Sequence, residues 1–195
     1  MEPVIPVKAN VEARPKPAVK ISYQEFLERY DGVFAEWVGG EIEMGMSVSQ
    51  QHADDSGFLE SVLRFYADAR DLGRVYSAPF QMRLADQDRG REPDLMFVSK
   101  ENEHRLTSQY LDGPADIAVE ILSPESVRRD RGDKFVEYEA AGVREYWIID
   151  PERKQAEFYL LDDDNHYQPI FNGKQGIFRS HVRELQAPTR ARHGG

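Results

Sequence analysis

Cysteine is absent from all 195 positions. Disulfide staples, thiolate zinc sites and cysteine nucleophiles are therefore excluded, and a cytoplasmic setting is expected. No apolar run approaches the roughly eighteen residues a membrane span needs, so no membrane contact is expected. The opening stretch MEPVIPVKANVEARPKP has no apolar core of the kind a secretory signal carries. Positive charge is in short supply. Lys and Arg number 25 against 35 Asp and Glu, a net charge of −10. That balance does not favour a simple basic nucleic-acid surface. An acidic protein still acts on phosphates when it holds a divalent metal or concentrates arginines locally. Arg128, Arg129, Arg131 and Lys134 form one such local cluster. A solvated turn of helix and a phosphate-facing patch account for it equally well.

What is present reads as a globular α/β chain, 40% hydrophobic and 31% charged. Residues 1–20 carry Pro3, Pro6, Pro15 and Pro17 without amphipathic period and read as an extended or disordered arm. Residues 21–185 are expected to form a single domain, and 186–195 a loose tail. Ser22 and Glu25 make a capping box ahead of Tyr23, Phe26, Leu27 and Tyr30, which predicts a short helix. FAEWV and EIEM around a double glycine predict a β-hairpin. The next segment, from Ser49, predicts a helix with an apolar stripe of Leu59, Val62, Leu63 and Tyr66 and a C-cap at Gly73. His52 falls at the start of its buried face. RVYSAP, FQMRL and EPDLMFVS read as strands, with ADQDRGR a polar turn and residues 100–111 a loop with a helical turn. DIAVEIL and VREYWIID flank a helix closed by Gly142, a βαβ unit whose strands should be parallel. Hairpin and late strands should be antiparallel, giving a mixed sheet. DDDN at 162–165 lacks calcium-loop spacing and reads as a turn.

Three residues stand out. Asp94 opens a strand after Pro93, Glu120 interrupts an otherwise apolar strand, and Lys134 shares a helix face with Tyr138 and Ala141. A buried Asp and Glu do not both stay ionised unless something positive joins them. A divalent cation does this, since magnesium takes one or two carboxylates plus waters. It would polarise a phosphate and lower the pKa of bound water, beside a lysine able to orient that water.

At these residues the sequence resembles the restriction-endonuclease-like superfamily, and more narrowly its bacterial Uma-type family. The resemblance rests on PD at 93–94, VEILSP at 119–124 and DRGDKFVEYEAAGVREYWIIDP at 130–151, within roughly residues 20–170. It implies a restriction-endonuclease-like mixed β-sheet core flanked by helices, with an N-terminal β-hairpin. It also implies a Mg2+- or Mn2+-dependent endonuclease acting on DNA, and a homodimer. Asp94 and Glu120 match the metal carboxylates of the PD…(D/E)xK pattern. The superfamily lysine would fall at Leu122; Lys134 matches the Uma-type position on the next helix. Glu36 and Glu41 match two hairpin glutamates, although Ala35 and Gly39 depart from the usual tyrosine and aspartate. His52 matches a helix-start histidine. Glu36 and Glu41 are expected to face opposite ways, so that only one, Glu36, reaches the site. The expected site is thus Lys134, Glu36 and His52 as catalytic groups with Asp94 and Glu120 on the metal.

Plainer readings stand beside these. Lys134 could pair with Asp130 on a helix surface. Glu120 could be a strand-edge residue paired to an arginine, Asp94 a turn cap, and His52 a satisfied helix-start histidine. Trp37, Tyr146 and Trp147 read as core or interface rather than base-stacking platforms. The whole fold could serve as a non-catalytic binding or assembly module, or as a hydrolase of small phosphate esters.

Overall fold

A computed structural model describes residues 20–45, 47–170 and 180. Most of the expected arm and all of the expected 186–195 tail lie outside the described residues. Helix α1 (Tyr23–Arg29) starts where Ser22 accepts a hydrogen bond from the Glu25 amide. Only that half of the capping box forms, because the Glu25 carboxylate turns to Arg29 instead. The hairpin pairs β1 (Ala35–Val38) with β2 (Glu41–Met44). Gly39 and Gly40 both have positive φ, 57° and 92°, the backbone that a two-residue type I′ turn requires.

Helix α2 (Gln50–Arg70) is capped by Ser49, whose hydroxyl accepts from the His52 amide. Its buried stripe is narrower than expected. Leu59 and Leu63 pack on the core and Ala67 is fully buried, whereas Val62 is exposed with Phe58 and Phe65. Steps of four residues place 59, 63 and 67 in one row, and 62 falls beside it. The helix ends on Asp71 in the left-handed region, not on Gly73. Gly73 instead opens the next strand, where an added Cβ would lie 2.1 Å from the Val98 carbonyl oxygen.

The remaining strands are β3 (Gly73–Ser77), β4 (Gln81–Leu84), β5 (Arg89–Arg91), β6 (Leu95–Ser99), β7 (Tyr110–Asp112), β8 (Ile117–Ile121), β9 (Glu145–Asp150), β10 (Gln155–Leu161) and β11 (Tyr167–Pro169). Helix α3 (Lys134–Ala141) lies between β8 and β9. Gly142 closes α3 in the left-handed region as expected. β5 falls inside the stretch read as a polar turn, and β7 begins within the stretch read as a loop and ends one residue beyond it. The strands also divide into two mixed sheets rather than one. The first has the order β2-β1-β5-β4-β7 and the second β11-β10-β9-β8-β6-β3. β8 and β9 are parallel, as the βαβ reading requires.

Three apolar clusters hold these layers. Met82 and Leu84 of the first sheet meet Met96, Val98, Ala118 and Ile148 of the second, with Tyr138 of α3 between. Leu95, Phe97, Ile117, Val119 and Trp147 use the opposite face of the second sheet to receive α2. Strand side chains alternate between faces, so β6 and β8 are buried on both, which explains their continuous apolar sequences. Phe26, Leu27, Ala35 and Trp37 join α1 to the first sheet.

Candidate active site

Asp94 immediately precedes β6, and β6 runs antiparallel to β8 with Leu95 opposite Val119. Continuing that register brings Asp94 alongside Glu120. The Asp94 Oδ2 atom accepts from the Ile121 amide at 2.6 Å, which fixes the carboxylate against β8. Its Oδ1 faces the His52 Nε2 at 3.1 Å. The Ser49 cap sets where α2 starts and so aims His52. That bond to Asp94 raises the imidazole pKa above its ordinary value, although burial opposes it.

Glu120 is not at a sheet edge. β8 lies inside the second sheet, and Glu120 is buried there. Lys134 Nζ donates to its Oε1 at 2.8 Å and the Tyr138 hydroxyl donates to the same oxygen at 2.8 Å. Lys134 and Tyr138 are one helical turn apart on α3, so both reach the same atom. Lys134 Nζ also lies 2.9 Å from Glu36 Oε1. Burial alone would lower the lysine pKa, but Glu120 and Glu36 outweigh it and keep the ammonium charged. The alternative of a surface pair with Asp130 fails on burial, since Lys134 is 2% exposed.

Glu36 stands behind the lysine. Its Oε2 accepts from Arg91 at 2.8 Å and its Oε1 from the Glu92 amide at 3.1 Å. Burial would raise its pKa, yet the charges of Lys134 and Arg91 bring it down to about 2. The expected opposition of Glu36 and Glu41 is incorrect. The register pairs Glu36 with Glu43 and Val38 with Glu41, so all four side chains share one face. Distance along the strand, not facing, keeps Glu41 away. Arg91, 2% exposed, is the hub that sequence reasoning missed. It holds Glu36 and Glu43 through Nη1 and grips Glu137 of α3 through Nε (2.7 Å) and Nη2 (3.0 Å). Nothing in RGR at 89–91 marks it as buried.

Asp94, Glu120, His52 and Lys134 line one cleft together with Glu92, Arg129 and Asp130. The positive cluster is divided: Arg129 lines this cleft, Arg131 pairs with Asp150 and Glu157, and Lys134 is buried. Arg128 is exposed. Acid therefore dominates. Burial pushes Glu120 well above the ordinary carboxyl pKa; Lys134 opposes this, and Asp130, Asp94 and Glu36 add to it. Burial likewise pushes Glu92 up to about 8, against a bond from Gln81. Trp37, Tyr146 and Trp147 are buried, as the core reading has them.

Hard oxygen donors with spare capacity suit a divalent cation here. Both hydrogen bonds to Glu120 end on Oε1, leaving Oε2 for the cleft, and each Asp94 oxygen retains a lone pair. The cleft has a cavity volume of about 50 Å³, against roughly 10–15 Å³ for one water. Among the described residues no group of three or more His, Asp or Glu side chains is placed to hold a metal ion. Two carboxylates completed by waters remain, the habit of magnesium rather than of structural zinc.

Two mixed sheets flanked by helices agree with the restriction-endonuclease-like fold that the sequence resemblance implies. The chain belongs to the Uma2 family, described as "Putative restriction endonuclease", whose family model matches residues 23–188. Among solved structures it resembles one described as "a putative nuclease belonging to DUF820 from Anabaena variabilis ATCC 29413". The TM-score is 0.65 at 18% identity, over 76% of this chain and 83% of that one. No curated protein matches. Among the described residues no helix is long and apolar enough to cross a membrane.

Proposed function

We propose that the protein is a divalent-metal-dependent endonuclease that hydrolyses phosphodiester bonds of DNA. The reading is carried by one arrangement: Lys134 Nζ 2.8 Å from Glu120, on the strand beside Asp94, inside a single acidic cleft. Asp94 and Glu120 would hold Mg2+ or Mn2+. Such an ion, when bound, polarises the phosphate and lowers the pKa of a coordinated water. Lys134 enters as a cation, so it takes no proton. It donates to the phosphate oxygen on which charge develops, a preorganised contact in a dry site. Glu36 positions Lys134, and His52 holds the Asp94 carboxylate in place. The wider surface of a −10 chain does not grip duplex phosphates on its own. A dimeric groove or a partner protein supplies that contact. Residues 21–185 act as one domain, in the cytoplasm.

Cutting of plasmid and single-stranded DNA with Mn2+ or Mg2+ tests the reading. Activity should vanish with chelator and in Asp94→Ala and Lys134→Ala variants that keep their circular dichroism. Binding without any cutting in the presence of metal would favour a non-catalytic module. Turnover of a model ester with polymers untouched would favour a small-molecule phosphoesterase.

A further inference from the structure

Asp130 has no task in the chemistry above. It lies in a π-helical turn (Arg129–Asp133) that runs directly into α3. Single π-turns within helices recur at functional sites, because the extra residue redirects side chains that a regular helix would separate. Here the turn is pinned by the Tyr146 hydroxyl, which donates to the Asp130 carbonyl at 2.9 Å. The Asp130 side chain is 2% exposed and lines the same cleft as Asp94 and Glu120. Its Oδ1 is buried and receives no hydrogen bond. Two cations stand near, Arg129 Nε at 3.6 Å and Lys134 Nζ at 3.8 Å, both beyond hydrogen-bond length.

A buried carboxylate oxygen without a donor is rare in a native protein and calls for a partner. The cleft has room for water beside it. Glu120 Oε1 is taken by Lys134 and Tyr138, and the acceptor capacity left on Glu120 Oε2 and on Asp94 is what the cation would use. Lys134, held as an ammonium, has no lone pair to offer.

We propose that Asp130 binds the attacking water and accepts its proton, a role that rests on the phosphodiesterase reading. The water O–H bond breaks and its proton passes to Oδ1. The freed oxygen pair forms the new P–O bond. The P–O bond to the leaving nucleoside breaks, and the released alkoxide takes a proton from bulk water. Asp130 then returns its proton to solvent.

The test compares wild type, the near-isosteric Asp130→Asn, and Asp130→Ala with and without formate. Turnover on an oligonucleotide, Mn2+ affinity of the substrate-free protein by electron paramagnetic resonance, and thermal unfolding are measured. In Asp130→Asn, kcat should fall roughly 10²–10⁴-fold, with KM and Mn2+ affinity within about threefold. Formate should restore roughly tenfold or more of the Asp130→Ala rate by replacing the missing carboxylate. Retained kcat in Asp130→Asn overturns the proposal. So does Mn2+ affinity falling in step with kcat, which would make Asp130 a ligand. So does an inactive Asp130→Ala that formate leaves unchanged. If wild type itself never cuts with metal present, the nuclease reading falls and Asp130 with it. An active wild type beside an equally active Asn variant removes Asp130 alone.

Discussion

Arg91→Met should be among the most damaging single changes outside the apolar core. The guanidinium is 2% exposed and neutralises Glu36 (6% exposed) and Glu137 (13% exposed), with Glu43 at the rim (44% exposed). Glu43, half in water, contributes little. The other two would be left buried and short of charge. Glu36 keeps Lys134 and Glu137 keeps Arg89, so neither is wholly orphaned. Removing one partner of a buried ion pair costs about 3–5 kcal/mol. For a chain of this length that corresponds to a fall in Tm of roughly 6–20 °C. Urea unfolding monitored by circular dichroism gives the free energy by linear extrapolation, with an unchanged m value if the fold persists. Arg91→Met combined with Glu137→Leu should recover part of the loss, because a matched apolar pair no longer strands a charge. A loss under about 1 kcal/mol in the single variant would refute the hub, as would a double variant no better than the single.

Acid should unfold the protein over a window set by Glu36. Its folded value of about 2 lies below the ordinary 4.5, so its contribution is complete above pH 4.5 and lost as pH falls toward 2. The contribution is roughly 3 kcal/mol, and Glu36→Gln should flatten that limb of a stability–pH curve; an unchanged limb would show that other carboxyls govern it. Mn2+ at a hundred times its Kd should stabilise by about 2.7 kcal/mol, a Tm rise of roughly 5–11 °C, absent in Asp94→Asn; a melting curve indifferent to Mn2+ would count against the metal site. Lys134→Met should lower nuclease turnover by roughly 10²–10³ with Mn2+ affinity retained, and near-normal turnover would remove its transition-state role. Gly73→Ala should cost about 1–3 kcal/mol in urea unfolding, because its Cβ would collide with the Val98 carbonyl; a neutral result would mean the β3–β6 pair yields easily.

DIAVEIL and VREYWIID are legible because strands buried on both faces carry continuous apolar sequence, and the βαβ rule then orders them. The double glycine marks the hairpin because few other residues tolerate its turn. β5 and β7 escape sequence reading. Each spans three residues, and RGR carries no apolar alternation, since its outer arginine is buried by carboxylates rather than hydrocarbon. Division into two sheets is a matter of which strands meet across the core, which local patterns do not encode. At the candidate site, Glu120 and Lys134 were readable as charged residues in apolar contexts, whereas Asp94 and His52 were singled out by their match to the family's motif. Asp130 and Arg129 sit in a charged run where nothing separates an inward side chain from an outward one. The π-turn makes that distinction, and it has no periodic signature.

The candidate chemistry straddles a seam. Asp94 and Glu120 belong to the second sheet and its approach, whereas Glu36 and Arg91 belong to the first. The amine of Lys134 is clasped from both sides, and Glu137 ties its helix to the hairpin's sheet. On the proposed function, activity would report how the two layers are docked. A chain that kept every strand but let the hairpin slip would retain its secondary structure and lose the clasp on Lys134.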